Sequence, residues 1–395
     1  MFYTLQAMKH FSHLNTAVDI TGRYSGRQPF HLFIKDFFRQ HKKYGSKDRK
    51  QITHLCYCYF RLGQSAKNKP LHQAIIEALF LCSGQANELL AALKPEWNGK
   101  TAASIEEKCA LLNIAPGSLN IFPSIGELSN GIDATDFNFS HLVQPDVFIR
   151  IRPGHQQPVI NKLERAGIAA VLLYPNCISL PASTKIEALL QVNKEVVIQD
   201  FSSQRTGELM KLINPARSNF KVWDCCAASG GKSIMATDIL ENIDLTVSDI
   251  RPAVLNNLKK RFNEAGIKNY KTLATDLTRP VNNLQKDSFN LIIADVPCTG
   301  SGTWGRTPER LLFFDEKEID SFAQLQKKIV TTVMPCLQKD GYFLYITCSV
   351  FKKENEDMAD FIQTNLSAEL IKMEVLKGYT QRADTMFAAM FRKSI

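Results

Sequence analysis

The second half of the chain predicts an α/β fold built on a doubly wound, largely parallel sheet. Two observations predict it. From about residue 200, apolar strand-like runs alternate with amphipathic helical stretches, the pattern of a parallel sheet covered on both faces. The residues with chemical character then fall where those runs end, and ligands of such sheets bind beyond the carboxyl ends of the strands. A chain of 395 residues leaves room for two or three domains.

Residues 1–138 read as an α-helical domain. In PFHLFIKDFFRQHKK, Phe30, Phe33, Ile34, Phe37 and Phe38 recur at helical spacing. In SKDRKQITHLCYCYFRLG, Ser46 is the candidate N-cap, and Ile52, Leu55, Tyr59 and Leu62 form one stripe. LHQAIIEALFLC and NELLAAL continue the pattern. These aromatic residues read as core.

The texture changes over residues 139–200, which predict a small α+β domain. DVFIRIRP, CISLP and EVVIQD read as strands, QQPVINKLERAGI as an amphipathic helix, and Pro145, Pro153 and Pro158 punctuate them. Residues 201–395 then carry the alternation. The strands are FKVWDCC, LTVSDI, YKTLATD, FNLIIADVP and GYFLYITCS, followed by ELIKMEVL and TMFAAMFRK. PAVLNNLKKRFNEAG, EKEIDSFAQLQKKIVTTVMPCL and ENEDMADFIQTNL read as helices between them.

The net charge of +9 is unevenly placed. Residues 1–70 hold 13 Lys and Arg against 3 Asp, leaving 35 basic and 36 acidic residues elsewhere. Such asymmetry points to a polyanion such as nucleic acid, with a solvated helical surface as the plain alternative. No run approaches the roughly 20 apolar residues of a membrane helix. The N-terminus lacks the pattern of a secretory signal, so a cytoplasmic protein without membrane association is expected.

Ten cysteines invite a metal or disulfide reading, but no Cys-x-x-Cys occurs. The nearest neighbours are Cys56/Cys58 and Cys225/Cys226. Reduced thiols and no metal are expected. Most of the ten then behave as small buried apolar residues. Two stand apart: Cys298 in LIIADVPCTGSG and Cys348 in GYFLYITCSV, both at the ends of strand-like runs.

Upstream, VWDCCAASGGK runs from a strand into a glycine turn: Asp224, Cys225, Cys226, Ala227, Ala228, Ser229, Gly230, Gly231 and Lys232. A phosphate-binding Walker loop needs a glycine where Cys226 stands, and the G-x-G-x-x-G dinucleotide fingerprint is absent. A cofactor without a pyrophosphate remains. Asp249 closes the second strand 19 residues past Gly230, placed to accept ribose hydroxyls. Asp276 closes the third strand, near an expected adenine amine, and Asp295 the fourth. One such aspartate is commonly a plain turn residue; four at successive strand ends suit S-adenosylmethionine. Two thiols beside that cofactor point to methyl transfer to carbon 5 of a pyrimidine.

DCCAASGGK, SDIRPAVLNN, ADVPCTGSGTWGRTPE and YITCSVFKKENED together resemble the RsmB/NOL1/NOP2/Sun family of RNA cytosine-5 methyltransferases, most of all the bacterial 16S rRNA enzymes of the RsmB type. The resemblance covers about residues 200–395, with QDFSSQ at 199–204 before the turn. It implies a Rossmann-like methyltransferase sheet. Residues 139–200 resemble the family's small domain, and KDRKQITHLCYCYFRLG resembles its NusB-like helical, RNA-binding domain. Ser229 stands where the family usually has Pro, and Gly305-Arg306 replaces a usual Arg pair.

The chemistry needs a thiolate to add to C6 of cytosine, because C5 alone is a poor nucleophile. The target base must leave its stack. A Pro-Cys motif supplies the attacking thiol in DNA cytosine methyltransferases, which favours Cys298; the TCS motif favours Cys348. The family resemblance implies Cys348 as nucleophile and Cys298 in product release, with Asp295 orienting the base or assisting proton transfer. It implies cofactor contacts from Cys226, Ala227, Ala228, Ser229, Gly230, Gly231, Lys232, Asp249, Asp276 and Asp295. The expected partner is RNA, ribosomal RNA first, with no obligate protein partner. Transfer RNA, DNA or protein acceptors and a non-catalytic RNA-binding assembly factor are the alternatives.

Overall fold

A computed structural model describes residues 2–213, 219–280 and 284–394. The chain parts into two compact units. One comprises Met1–Gly126, Asp133–Gln144 and Trp304–Asp315; the other comprises Glu127–Ile132, Pro145–Thr303 and Glu316–Ile395.

The first unit is helical. Its longer helices are Phe2–Arg23, Phe30–Gln40, Ser46–Arg61 and Leu71–Cys82. The expected apolar stripes are internal: Phe30, Ile34, Phe37, Phe38, Ile52, Leu55, Tyr59 and Leu62 are all buried. Phe30 and Phe60 meet edge to face with centroids 4.7 Å apart, a favoured aromatic geometry. Ser46 is the first helical residue rather than the cap; Gly45 precedes it, and the Gly45 N–H donates to Asp48 Oδ2 at 3.1 Å. Asp48 thus serves the helix end that a serine hydroxyl was expected to serve.

The segment Trp304–Asp315, which sequence reading assigned to the catalytic domain, packs inside this helical unit. Glu309 Oε1 accepts from the Phe30 N–H at 3.0 Å, satisfying a free donor at a helix start. The buried Arg61 guanidinium donates to the carbonyls of His141 at 2.7 Å and Gly305 at 2.9 Å. Trp304 is buried against Phe122 and Phe314.

The second unit contains two sheets. The smaller has strands β1 (Val147–Ile151), β2 (Val171–Tyr174), β3 (Cys177–Leu180) and β4 (Val196–Ile198) in the order β2-β3-β1-β4, paired antiparallel. Strand β2 was not expected. The larger sheet has β5 (Phe220–Asp224), β6 (Ile243–Asp249), β7 (Tyr270–Ala274), β8 (Phe289–Asp295), β9 (Leu337–Thr347), β10 (Ala368–Leu376) and β11 (Met386–Lys393). Their order is β10-β11-β9-β8-β5-β6-β7. Strands β5 to β9 pair in parallel, and β11 enters antiparallel between β9 and β10.

Alternation along these strands covers both faces, as a doubly wound sheet requires. Leu291 and Ile293 join a core with the helices Gly231–Leu240 and Pro252–Glu264. Ile292 and Ala294 face the helices Lys317–Val333 and Glu356–Asn365. The strand order reverses between β5 and β8, a switch point whose carboxyl edge is the expected ligand crevice. The small sheet is anchored by charge: Arg150 and Arg152 of its β1 region reach Asp238 at 2.6 and 2.9 Å. Among the described residues, no helix is long and apolar enough to cross a membrane.

Candidate active site

The glycine turn leaves β5 at Asp224 and folds back tightly. The Cys225 N–H bonds to the Ile293 carbonyl at 2.9 Å, Ala227 N–H to Ser248 at 2.8 Å, and Gly230 N–H to Ala227 at 2.7 Å. Gly230 has φ +82°, and a Cβ there would lie 2.6 Å from a Phe262 ring carbon, so glycine is required twice over. The helix opens at Gly231. Ser229, at the family's usual proline position, is held by Arg261, whose Nη1 donates to its Oγ at 2.7 Å and its carbonyl at 2.9 Å.

Asp224 is fully buried, and burial raises its carboxyl to about 7 despite the hydrogen bond from Ser233 Oγ at 2.6 Å. Asp249 is buried at the end of β6. Burial pushes its pKa up, but the Arg251 bonds outweigh this and hold the carboxyl below its ordinary range. Arg251 N–H and Nε donate to Oδ1 at 2.9 and 3.0 Å, and Nη2 to Oδ2 at 3.1 Å. Asp276 does not end its strand: β7 stops at Ala274, and Asp276 accepts from the Thr278 N–H and hydroxyl at 2.9 and 2.7 Å. Those bonds lower its pKa.

Asp295 ends β8, and the buried Lys232 Nζ donates to its Oδ2 at 2.9 Å. The turn after β5 is thereby joined electrostatically to the next parallel strand. Three residues on, the Cys298 sulfur lies 3.2 Å from that of Cys348, which follows β9. The register Asp295↔Ile346 between β8 and β9 brings the two ends level. Both thiols are half-buried and free, and 3.2 Å exceeds a disulfide bond of about 2.05 Å. The adjoining Cys348 sulfur, followed by burial, keeps the Cys298 thiol protonated well above the usual range.

The loop after Cys298 threads close to backbone. Gly302 N–H donates to the Cys348 carbonyl at 2.9 Å, and Gly302 accepts from Thr385 N–H at 2.9 Å. Two thiols in contact, an ion-paired carboxylate and a close-approach turn provide a nucleophile, a proton-holding neighbour and a polar group for orientation.

Residues 210–391 match the family model described as 16S rRNA methyltransferase RsmB/F. Most of the large α/β domain is therefore similar to the RsmB/F methyltransferases. Ribosomal RNA small subunit methyltransferase B of Proteus mirabilis is 28% identical over 257 residues, covering 63% of this chain and 60% of that one. Its counterpart in Photorhabdus laumondii is 30% identical over 181 residues, 45% of this chain and 41% of the relative. The matched stretches therefore span about half the length of these curated relatives. Among solved structures, PH0851 superposes with a TM-score of 0.68 at 17% identity, over 98% of both chains. NSun6 from Pyrococcus horikoshii gives 0.59 at 15% identity, over 70% of this chain and 100% of its own. These structural likenesses establish the fold.

The structure pairs Lys232 with Asp295 and Cys298 with Cys348, at the level ends of the adjoining strands β8 and β9. Asp249 ends β6, and Asp276 lies two residues past the end of the neighbouring strand β7. Sequence reading missed Glu354 and Gln326. Glu354 is wholly buried yet sits in the charged run KKENED, which reads as a solvated surface. The helical period was the available signal for Gln326, since it falls on the buried stripe of Lys317–Val333.

Proposed function

We propose that this chain transfers the methyl group of S-adenosylmethionine to carbon 5 of a cytosine in RNA, with small-subunit ribosomal RNA as substrate. The pair of sulfurs 3.2 Å apart at the ends of neighbouring parallel strands carries this reading. The names of the curated relatives support ribosomal RNA as the acceptor.

The donor set fits S-adenosylmethionine. Asp249 offers a buried carboxylate to two ribose hydroxyls, and its present partner Arg251 has a side chain 62% exposed, able to swing outward. Asp276 suits the adenine amine. Residues Cys226 to Lys232 bring backbone close to the ligand, because Gly230 carries no side chain to displace Phe262. When bound, the cofactor supplies a methyl group on a positively charged sulfur.

The Cys348 thiolate adds to C6, forming a carbon–sulfur bond and making C5 nucleophilic. C5 takes the methyl, loses its proton to a base, and the C6–S bond breaks to restore the aromatic ring. Cys298 assists that release: its thiol lies beside the departing sulfur and shares its proton with it. Lys232 fixes the Asp295 carboxylate, and Asp295 orients the cytosine through its exocyclic amine. The basic residues of the helical unit engage phosphates.

Labelled S-adenosylmethionine incubated with RNA and DNA pools tests the reaction. Label recovered as 5-methylcytosine in RNA is expected; label in DNA or protein, or no transfer, overturns it. Nucleotide-resolution mapping in cells lacking the protein tests the substrate. A missing ribosomal RNA mark supports it, and a missing transfer RNA mark refutes it.

A further inference from the structure

The residue after each active-site cysteine is tied to one buried side chain. Thr299 follows Cys298, and Ser349 follows Cys348. Thr299 Oγ1 and Ser349 Oγ both donate to Glu354 Oε1 at 2.6 Å. The Thr299 N–H and Gln326 Nε2 both donate to Glu354 Oε2 at 2.9 Å. Gln326 Nε2 also reaches the Pro297 carbonyl at 3.0 Å, and Tyr345 closes the network, its hydroxyl donating to the Glu354 carbonyl at 2.7 Å. Glu354 itself is 0% exposed.

A carboxylate fully out of water is costly unless its lone pairs are filled. Here four donors fill them, and they come from three separate segments. Burial pushes the Glu354 pKa up, while the Ser349, Thr299 and Gln326 bonds oppose it. Each oxygen receives two donors, so the carboxylate fixes direction as well as distance. Moving either cysteine-bearing loop breaks at least one of these bonds.

We propose that Glu354 is the positioning residue that sets the separation and facing of the Cys298 and Cys348 sulfurs. It touches neither substrate nor cofactor; it acts through Thr299 and Ser349. The step it serves is release of the C6–S bond, which needs both sulfurs in register. This assignment rests on the two-thiol reaction proposed above.

The test uses the full chain and two readouts. The first is independent of methylation. Diamide, an azo oxidant, takes up the two thiol protons and two electrons and becomes a hydrazine as the Cys298–Cys348 disulfide forms, and peptide mass spectrometry follows the rate. Glu354→Gln keeps the shape but replaces one acceptor oxygen with a donor, so cross-linking is expected to slow about tenfold, the effect of roughly 1.4 kcal/mol in misplacement. The second readout is decay of the covalent RNA adduct in a single turnover. Release is expected to slow about tenfold while S-adenosylmethionine affinity is unchanged, and Glu354→Asp is expected to recover part of the loss.

Where Glu354→Gln fails to fold, Ser349→Ala removes the Glu354 bond together with those to Thr299, Ser301 and the Phe351 N–H but leaves the other Glu354 bonds in place, and is expected to slow both processes by a smaller factor. Unchanged cross-linking or unchanged release in a folded variant overturns the assignment. A wild-type chain that methylates no RNA, with cross-linking still slowed by Glu354→Gln, would refute the proposed reaction and leave the placement of the thiols supported.

Discussion

Lys232 Nζ lies 2.9 Å from Asp295 Oδ2, linking the helix after β5 to the end of β8. The lysine side chain is 9% exposed and the aspartate 30%. Removing one partner strands a nearly buried ammonium, although partial exposure of Asp295 softens the penalty. Asp295→Asn is therefore expected to cost about 1–3 kcal/mol in urea unfolding. Methyl transfer is expected to fall about a hundredfold, the cost of a misplaced reacting base. A variant with full activity would remove Asp295 from the mechanism.

The two cysteines have separable signatures. Cys348→Ala is expected to abolish the covalent RNA adduct, seen as loss of a shifted band in a denaturing gel. Cys298→Ala is expected to leave adduct stranded on RNA. The reverse pattern would exchange their roles. The Cys298 thiol is held protonated well above the usual range. In the free protein, iodoacetamide alkylation of Cys298 should therefore stay slow as pH rises past the ordinary thiol value of about 8.5. A rise centred at that value would contradict a proton-holding Cys298.

Gly302 admits no side chain. A Cβ would lie 1.8 Å from the Thr385 carbonyl oxygen and 3.1 Å from that of Cys348. Both contacts are backbone, so neither gives way cheaply. Gly302→Ala is expected to destabilise the fold by about 1–3 kcal/mol or more through overpacking. It should also open the loop carrying Cys298 and slow diamide cross-linking to Cys348. Unchanged stability by chemical denaturation would show that the two loops can part.

Asp224 makes stability depend on pH with a sign opposite to that of a salt-bridged carboxylate. Its folded pKa is raised to about 7 by burial, with Asp295 and Asp249 adding to the rise and Ser233 and Lys232 opposing it. The folded chain therefore holds this proton more tightly than the unfolded chain between about pH 4 and 7. The resulting stability is present below about pH 4 and is lost as pH rises through about 7, up to about 4 kcal/mol for a shift of roughly three units. Asp224→Asn is expected to flatten this decline across urea titrations at several pH values. An unaltered slope would mean Asp224 is ionised in the folded state.

Much of the sheet was legible because its strands are buried and bounded by turn residues. Cys298 and Cys348 were legible because each ends an apolar run. Strand β2 was not, because Val171, Leu172 and Tyr174 are all exposed and show no alternation of apolar and polar. Glu354 was hidden for the opposite reason: a charge among charges gives no sign of burial. The third strand was expected to run to Asp276, two residues past its observed end, because YKTLATD has no marker of where pairing stops. The Arg251 bonds to Asp249 and the Arg261 bonds to Ser229 depend on side-chain reach across a fold, which linear spacing does not encode.

The stretch Trp304–Asp315 has an evolutionary consequence. It begins just past the loop that bears Cys298, and its Trp304 and Leu311 are buried within the helical unit. A lineage cannot shed or exchange that unit by shortening its N-terminus alone, since Trp304 would lose Phe122, and the Gly305 carbonyl its Arg61 donor. Any such change must also rewrite residues that follow Cys298 by only a few positions, because Trp304 and Leu311 would otherwise lose the core that buries them.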